Sequence, residues 1–322
     1  MNTISFPVVR NPHPMRRWAD PFDIQVPASI ANLGPGCDTL AVAVQLYLRL
    51  RVQKLPGRGE VHFHFVDQQP PGENVIEQAY RSLAGADFDR LPSLSVEVRS
   101  EIPVRAGLGS RAAAVVAGLR LYEAVAARSL SSAALLNAAC ALELRSANVA
   151  ASLLGGLAMS CRLGDGSVHA KSVSWPSSLG FLVLTPQAPL GEPRSEQSQS
   201  LSREDAVYNL QRVALLLHSL QSEDYSLLKH ALNDRLHQPS RQAMAPCLAA
   251  VLEVEHPDLL GVCLSGAGPS MVALAERNHE EIARLLAAAC DRCGIGHEMR
   301  VLRAHHRVEE RAPLYRAGLL CC

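Results

Sequence analysis

The stretch PVRAGLGSRAAAVVAGL, Pro103 to Leu119, decides how the rest of the chain is read. A tight small-residue turn, Gly107-Leu108-Gly109-Ser110, leads into an alanine-rich run that reads as a helix. A helix start gathers unpaired backbone N–H groups at the positive end of the macrodipole, so a glycine turn leading into one offers a cradle for an anion. The spacing matches neither the P-loop, which ends in Gly-Lys-Ser/Thr, nor the dinucleotide fingerprint Gly-x-Gly-x-x-Gly. Arg111 is the residue out of place, because a cation is disfavoured in the first turn of a helix.

Outward from this turn the chain alternates strands and helices. FDIQVPAS and LAVAVQLYLRLRVQKL alternate or run apolar as strands do, EVHFHFVD alternates strictly, and ENVIEQAYRSLAGA reads as a helix opened by an acidic residue. SLSVEVRSEIPV is the strand that enters the turn. Downstream, SLSSAALLNAACALELRSANVAASLLGG is mostly helical, its first helix capped by a serine and its last closed by Gly155-Gly156. LAMSCRL and GFLVLTP return to strand. The polar APLGEPRSEQSQSLSREDA reads as a long exposed loop of the kind that forms lids. After it come helices in DAVYNLQRVALLLHSLQ, YSLLKHALNDRLHQ and RQAMAPCLAAVLEVE. LLGVCLSGAGPSMVALAE is strand, glycine turn, strand, and HEEIARLLAAACDRC is a helix. At 322 residues the chain suits two lobes. The composition shift near 180–205 divides it into a lead over 1–20, an N-terminal lobe over 21–185 and a C-terminal lobe over 186–322. Mixed elements on both sides give an α+β class.

Lysine plus arginine and aspartate plus glutamate both number 31, so no net field draws nucleic acid or an anionic membrane, and any anion must be held locally. No apolar run approaches the roughly 18 residues of a membrane span, and MNTISFPVVRNPHPMRRWADPFD lacks the apolar core of a signal peptide. The expectation is a cytoplasmic protein. Nine scattered cysteines favour reduced thiols over a disulfide framework. Cys290-x-x-Cys293 has no second pair at ligand spacing and reads as spare thiols on a helix; His62 and His64 read as a solvated strand face, and the tail pair Cys321-Cys322 is uninformative.

PASIANLGPGCDTL sets Gly34 and Gly36 around Pro35 with Asn32 and Asp38 on either side, and LSGAGPS, Leu264 to Ser270, is a glycine hinge between apolar runs. Each alone is only a turn. Taken in order and at these separations, the three turns resemble the motifs of the GHMP kinase superfamily, and within it those of homoserine kinase. The likeness runs from about Phe22 to Glu276, with ENVIEQA, NVAASLLGG, DAVYNLQRVALLL and DRLHQPSR adding to it. The resemblance implies a two-lobed fold, the N-terminal lobe of ribosomal-protein-S5-like type and the C-terminal lobe an α/β plait. It implies ATP phosphates on Gly107, Leu108, Gly109, Ser110, Arg111 and Ala112 beside Pro103, with Asn74 and Val75 near the adenine. Transfer to a substrate hydroxyl, assisted by Mg2+, would serve threonine biosynthesis. Position by position it gives Asn32, Asp38, Arg145, Asn148, Arg194, Arg241 and Gly266 to a small amino-acid substrate. Asp38 suits the ammonium, and the guanidinium forks of Arg194 and Arg241 suit the carboxylate. A homodimer is the assembly this fold suggests.

The departures from the family fall around the metal. Family members read Gly-Leu-Gly-Ser-Ser, the second serine a Mg2+ ligand, where this chain has Arg111. They read Glu-Leu-Glu-Gly-His-Pro-Asp-Asn where it has ALELRSAN, Ala141 to Asn148. On that alignment Ala141 replaces the glutamate that supports Mg2+, Arg145 a substrate-site histidine and Ala147 an aspartate. Glu143 takes the metal role only if the alignment slips by two residues. The catalytic candidates are therefore Arg111, Arg145 and Asn148, and either arginine can supply charge as an arginine finger does. One expectation is phosphoryl transfer to homoserine or a similar amino alcohol. The other is a protein of the same fold that keeps the amino-acid pocket and no longer transfers phosphate.

Overall fold

The computed structural model describes residues 21–67, 71–187, 201–242, 245 and 247–306. β1 (Phe22–Asn32) and β2 (Gly36–Arg58) form an antiparallel hairpin. Along β2 the side chains of Leu46, Leu48, Leu50 and Val52 are buried while Gln45, Arg51 and Gln53 face out, the period-two signature of a strand with one face in a core. β3 (Val61–Phe65) runs parallel to β4 (Pro92–Ser100) through a crossover that contains α1 (Val75–Ala84). With β5 (Leu157–Arg162) and β6 (Val168–Val173) the sheet order is β3-β4-β2-β5-β6, and β1 also pairs with β2.

α2 (Ser110–Val125), α3 (Ser132–Leu142) and α4 (Ser146–Leu154) complete this lobe. α2 is buried nearly all round, which is why its sequence shows small and apolar residues rather than a stripe. Gly118 lets α1 lie against it: a Cβ there would overlap the Ile76 carbonyl and stand 2.7 Å from Ala79 Cβ. The start of α1 corrects the sequence reading, since the cap is Asn74 and not an acid. Its Oδ1 accepts from Ile76 N at 3.1 Å and Glu77 N at 3.4 Å, a cap that contributes about 1 kcal/mol.

The second sheet is antiparallel, in the order β10-β7-β9-β8, from β7 (Gly180–Pro186), β8 (Leu259–Leu264), β9 (Met271–Ala275) and β10 (His297–Leu302). The chain crosses between sheets ahead of β7, so the polar stretch that suggested a division at 185/186 follows the first strand of the second sheet. α8 (Leu248–Leu252) and α9 (His279–Asp291) pack on one face with Leu182, Leu184, Met271 and Ala273. The alternate residues Phe181 and Val183 join the core of the first lobe instead. α5 (Arg203–Ser222) and α6 (Leu228–Ala231) also contribute to that larger core, through Leu216, Leu220 and Leu228. After β10 the chain returns to β2, where His305 N donates to Ala43 O at 2.8 Å and Gln45 N to Arg303 O at 2.9 Å.

The helix expected over YSLLKHALNDRLHQ shrinks to α6. Asp234 ends it by turning its carboxylate onto Leu236 N, His237 N and Gln238 N, which opens α7 (Gln238–Gln242). β6 and β10 are strands the sequence reading does not anticipate. His62 and His64 share the exposed face of β3. None of the described helices is long and apolar enough to cross a membrane.

Candidate active site

Three turns from distant parts of the chain meet. Ser29 N donates to Leu108 O at 3.1 Å, Gly266 N to Ala31 O at 3.0 Å and Ser270 N to Ala106 O at 3.1 Å, so each turn is bonded to a neighbour through its backbone. Side chains reinforce the joint: Ser265 Oγ donates to Gly107 O at 2.8 Å, Asn32 Nδ2 to Gly266 O at 3.2 Å and Asn148 Nδ2 to Ser29 Oγ at 2.9 Å. Gly109, at φ +72°, caps α2 without a side chain, and no acidic residue follows in the first turn. The leading amides of α2 therefore have no side-chain acceptor at the cap, and they face a cavity of about 840 Å³, the size of a ligand site.

Asn74, Val75, Pro103, Gly107, Gly109, Ser110, Arg111 and Ala112 line this cavity, as do Arg145, Asn148 and Gly266. Leu108 turns its side chain into the core and offers the turn only its backbone. A string of open amides at a helix start is the donor set that phosphate groups take, so the turn fits the ATP that the resemblance implies.

Arg111 does not stand free in the cavity. Its Nε forms an ion pair with Glu143 Oε2 at 3.0 Å, and its Nη2 donates to Leu142 O at 3.4 Å. The other oxygen of Glu143 accepts from Arg145 N at 3.1 Å. The Glu143 side chain is 7% exposed against 54% for Arg111, so the acid is the fixed member of the pair. Glu143 and not the exposed Ala141 reaches the cradle, and the carboxylate arrives already engaged on both oxygens, one paired with the Arg111 guanidinium and the other accepting from Arg145 N. That arrangement does not fit a protein-held Mg2+. Among the described residues no three His, Cys, Asp or Glu side chains converge as a metal site.

Asn32, Asp38 and Arg241 lie next to the cavity and not on its wall. Asn32 Oδ1 accepts from Asp38 N at 3.3 Å. Burial holds the Arg241 guanidinium below its ordinary pKa, and the positive charge of Arg145 adds to that. Burial also lowers His237 from 6.5, against Asp234 and Asp38, which pull it up, and with Arg145, which pushes it down. Cys37 is pushed up to about 12 by burial first and then by Asp38 and Asp234. Asp38 and Asp234 act on both Cys37 and His237, and Arg145 acts on both His237 and Arg241, so charges of both signs gather beside the cavity. Arg194 lies outside the described residues, as do Cys321 and Cys322.

A model of the GHMP kinase N-terminal domain matches residues 74–156, and one of the GHMP kinase C-terminal region matches 216–295. The homoserine kinase of Solibacter usitatus is 34% identical over 274 residues, spanning 82% of this chain and 88% of that protein. The homoserine kinase of Moorella thermoacetica is 35% identical over 284 residues, spanning 84% and 93%. The chain belongs to the homoserine kinase family of GHMP kinases. Among solved structures, homoserine kinase from Cytophaga hutchinsonii aligns with TM-score 0.79 at 22% identity, over 91% of this chain and 98% of that one. Mevalonate kinase from Methanococcus jannaschii aligns with TM-score 0.64 at 12% identity, over 90% and 100%. Both share the fold. Within this homoserine-kinase-family site, sequence reasoning passes over His237, Asp234 and Ser29, although DRLHQPSR and PASIANLGPGCDTL contain all three. Position in a motif marks the backbone, and only the folded chain shows that His237 Nδ1 is buried with no hydrogen-bond partner among the described residues.

Proposed function

We propose that this chain transfers the γ-phosphoryl group of ATP to the hydroxyl of homoserine or a similar small amino alcohol. The observation that carries the reading is the joint of the three turns, which sets an anion cradle at the start of α2 beside the turn that bears Asn32 and Asp38. ATP, when bound, supplies the phosphoryl group; the chain supplies position and charge. Amides at the start of α2 hold phosphate oxygens, and Asn74 and Val75 border the adenine. Asp38 takes the substrate ammonium, while Arg241, with Arg194, takes the carboxylate. Asn148, fixed by Ser29 Oγ, orients the reacting hydroxyl, and Asn32 and Gly266 close the wall between the two ligands. Arg145 places a positive charge where the transferred group passes, the electrostatic contribution on which phosphoryl transfer mainly depends. Any Mg2+ comes on the nucleotide's own phosphates. In this reading the protein works in the cytoplasm, as a homodimer.

The test is turnover of homoserine with MgATP, together with thermal shift. A ligand at about 100 times its Kd stabilises the fold by about 2.7 kcal/mol, so MgATP should raise the melting temperature. No turnover and no shift would sink the reading. The pairing of Arg111 with Glu143 favours one alternative, a family member that binds the amino acid and no longer transfers phosphate. Homoserine binding without turnover would select it.

A further inference from the structure

We infer that Arg111 is a built-in cation for the nucleotide's phosphates, standing in for a protein-anchored metal ion, and that Glu143 is the positioning residue that keeps it aimed. The inference rests on the reading that the cavity binds ATP. A guanidinium in the first turn of α2 is opposed by the helix dipole and by the same amides that attract phosphate. It remains there because a buried carboxylate holds it through Nε, while the Leu142 carbonyl takes Nη2. Those two contacts hold the guanidinium beside Glu143 and Leu142. The side chain is half exposed and lines the cavity, with Ser110 and Ala112 as neighbours there. A planar cation held by protein on one side and lining an anion cradle is placed to meet a phosphate oxygen. Glu143 in turn cannot swing to a metal without releasing Arg111 Nε and Arg145 N. The pair therefore removes the acid from ion binding and replaces its charge-neutralising effect with the arginine.

The distinguishing quantity is the ratio of affinities for ATP without and with divalent cation. Calorimetry of the full chain with ATP in EDTA and with MgATP should give parent affinities within about tenfold of each other. Arg111→Met should weaken metal-free ATP by about tenfold to a hundredfold, the range for a charge-assisted hydrogen bond, and MgATP by less. Glu143→Gln should fall between parent and Arg111→Met in this ratio, a shift that a purely structural role would not produce. Should Arg111→Met fail to fold, Arg111→Lys with Glu143→Gln gives the same measurement. An unchanged ratio in these variants overturns the inference while leaving the proposed function intact if the parent still turns over homoserine. A parent that binds neither form of ATP overturns both.

Discussion

Gly109→Ala tests whether the three turns are joined as described. Gly109 holds φ +72°, ψ 25° immediately before α2, a conformation that costs a residue with a Cβ roughly 1–2 kcal/mol. The added Cβ would also overlap Ser29 Oγ and stand 3.1 Å from Asn148 Nδ2. Ser29 has little room to retreat, because its Oγ accepts the Asn148 amide at 2.9 Å and its N–H donates to Leu108 O. Losing that acceptor leaves a buried amide unpaired, at a further cost of about 1–3 kcal/mol. The total, about 2–5 kcal/mol, is a large share of the ~5–15 kcal/mol that stabilises a typical protein. Gly294→Ala is the matched control: φ is +69°, nothing lies within 4 Å, and only the backbone strain remains. Urea unfolding followed by circular dichroism compares the two. Gly109→Ala should lose at least about 1 kcal/mol more than Gly294→Ala; equal losses would refute the packing of Ser29 and Asn148 against the turn.

Two further outcomes follow from the buried titratable groups. Burial holds His237 below 6.5 in the folded chain, so the unfolded chain binds the proton more readily and stability is lost as pH falls from 6.5 through the lower folded value. Between roughly pH 7.5 and 5, His237→Gln should therefore lose stability less steeply than the parent, and parallel slopes would contradict the burial. Cys263 and Cys290 are buried and their thiols are pushed up to about 12, mainly by burial, whereas Cys161 and Cys293 are exposed. Brief alkylation of the native protein followed by peptide mass spectrometry should mark Cys161 and Cys293 and spare Cys263 and Cys290. Equal labelling of Cys290 and Cys293 would be incompatible with the packing of α9 on α8, where Cys290 Sγ lies 3.1 Å from Cys247 Sγ.

The β1–β2 hairpin is legible in the sequence because a one-sided strand writes its buried face at every second residue, as Leu46, Leu48, Leu50 and Val52 do. β6 and β10 are not, because each ends its sheet and carries polar or charged residues that blur the alternation. The glycine turns are equally legible, since glycine takes without strain the positive φ found at Gly107, Gly109, Gly266 and Gly268. What they bond to is not. The place of Glu143 shows why: residue counting keeps Ala141 and Glu143 on one helix, but Glu143 is the C-cap of α3 with extended backbone, φ −134°. The break turns its side chain inward to Arg111, a direction that no linear spacing encodes. His237 is hidden for a similar reason, because two of the charges that act on it, Asp38 and Arg145, come from far away in the chain.

The dovetail of the three turns also sets when in the life of the molecule a site can exist. Ala106 and Gly107 wait for partners at Ser270 and Ser265, made roughly 160 residues later, on the order of 10–30 s at about 5–20 residues per second. During that interval the cradle lacks the wall that shapes it. On the proposed function, a nucleotide meets a competent surface only when the chain is nearly finished, and its binding then clamps early-made and late-made halves together. Ligand present during synthesis or refolding should act at the last assembly step and leave the first collapse of the hairpin unaffected.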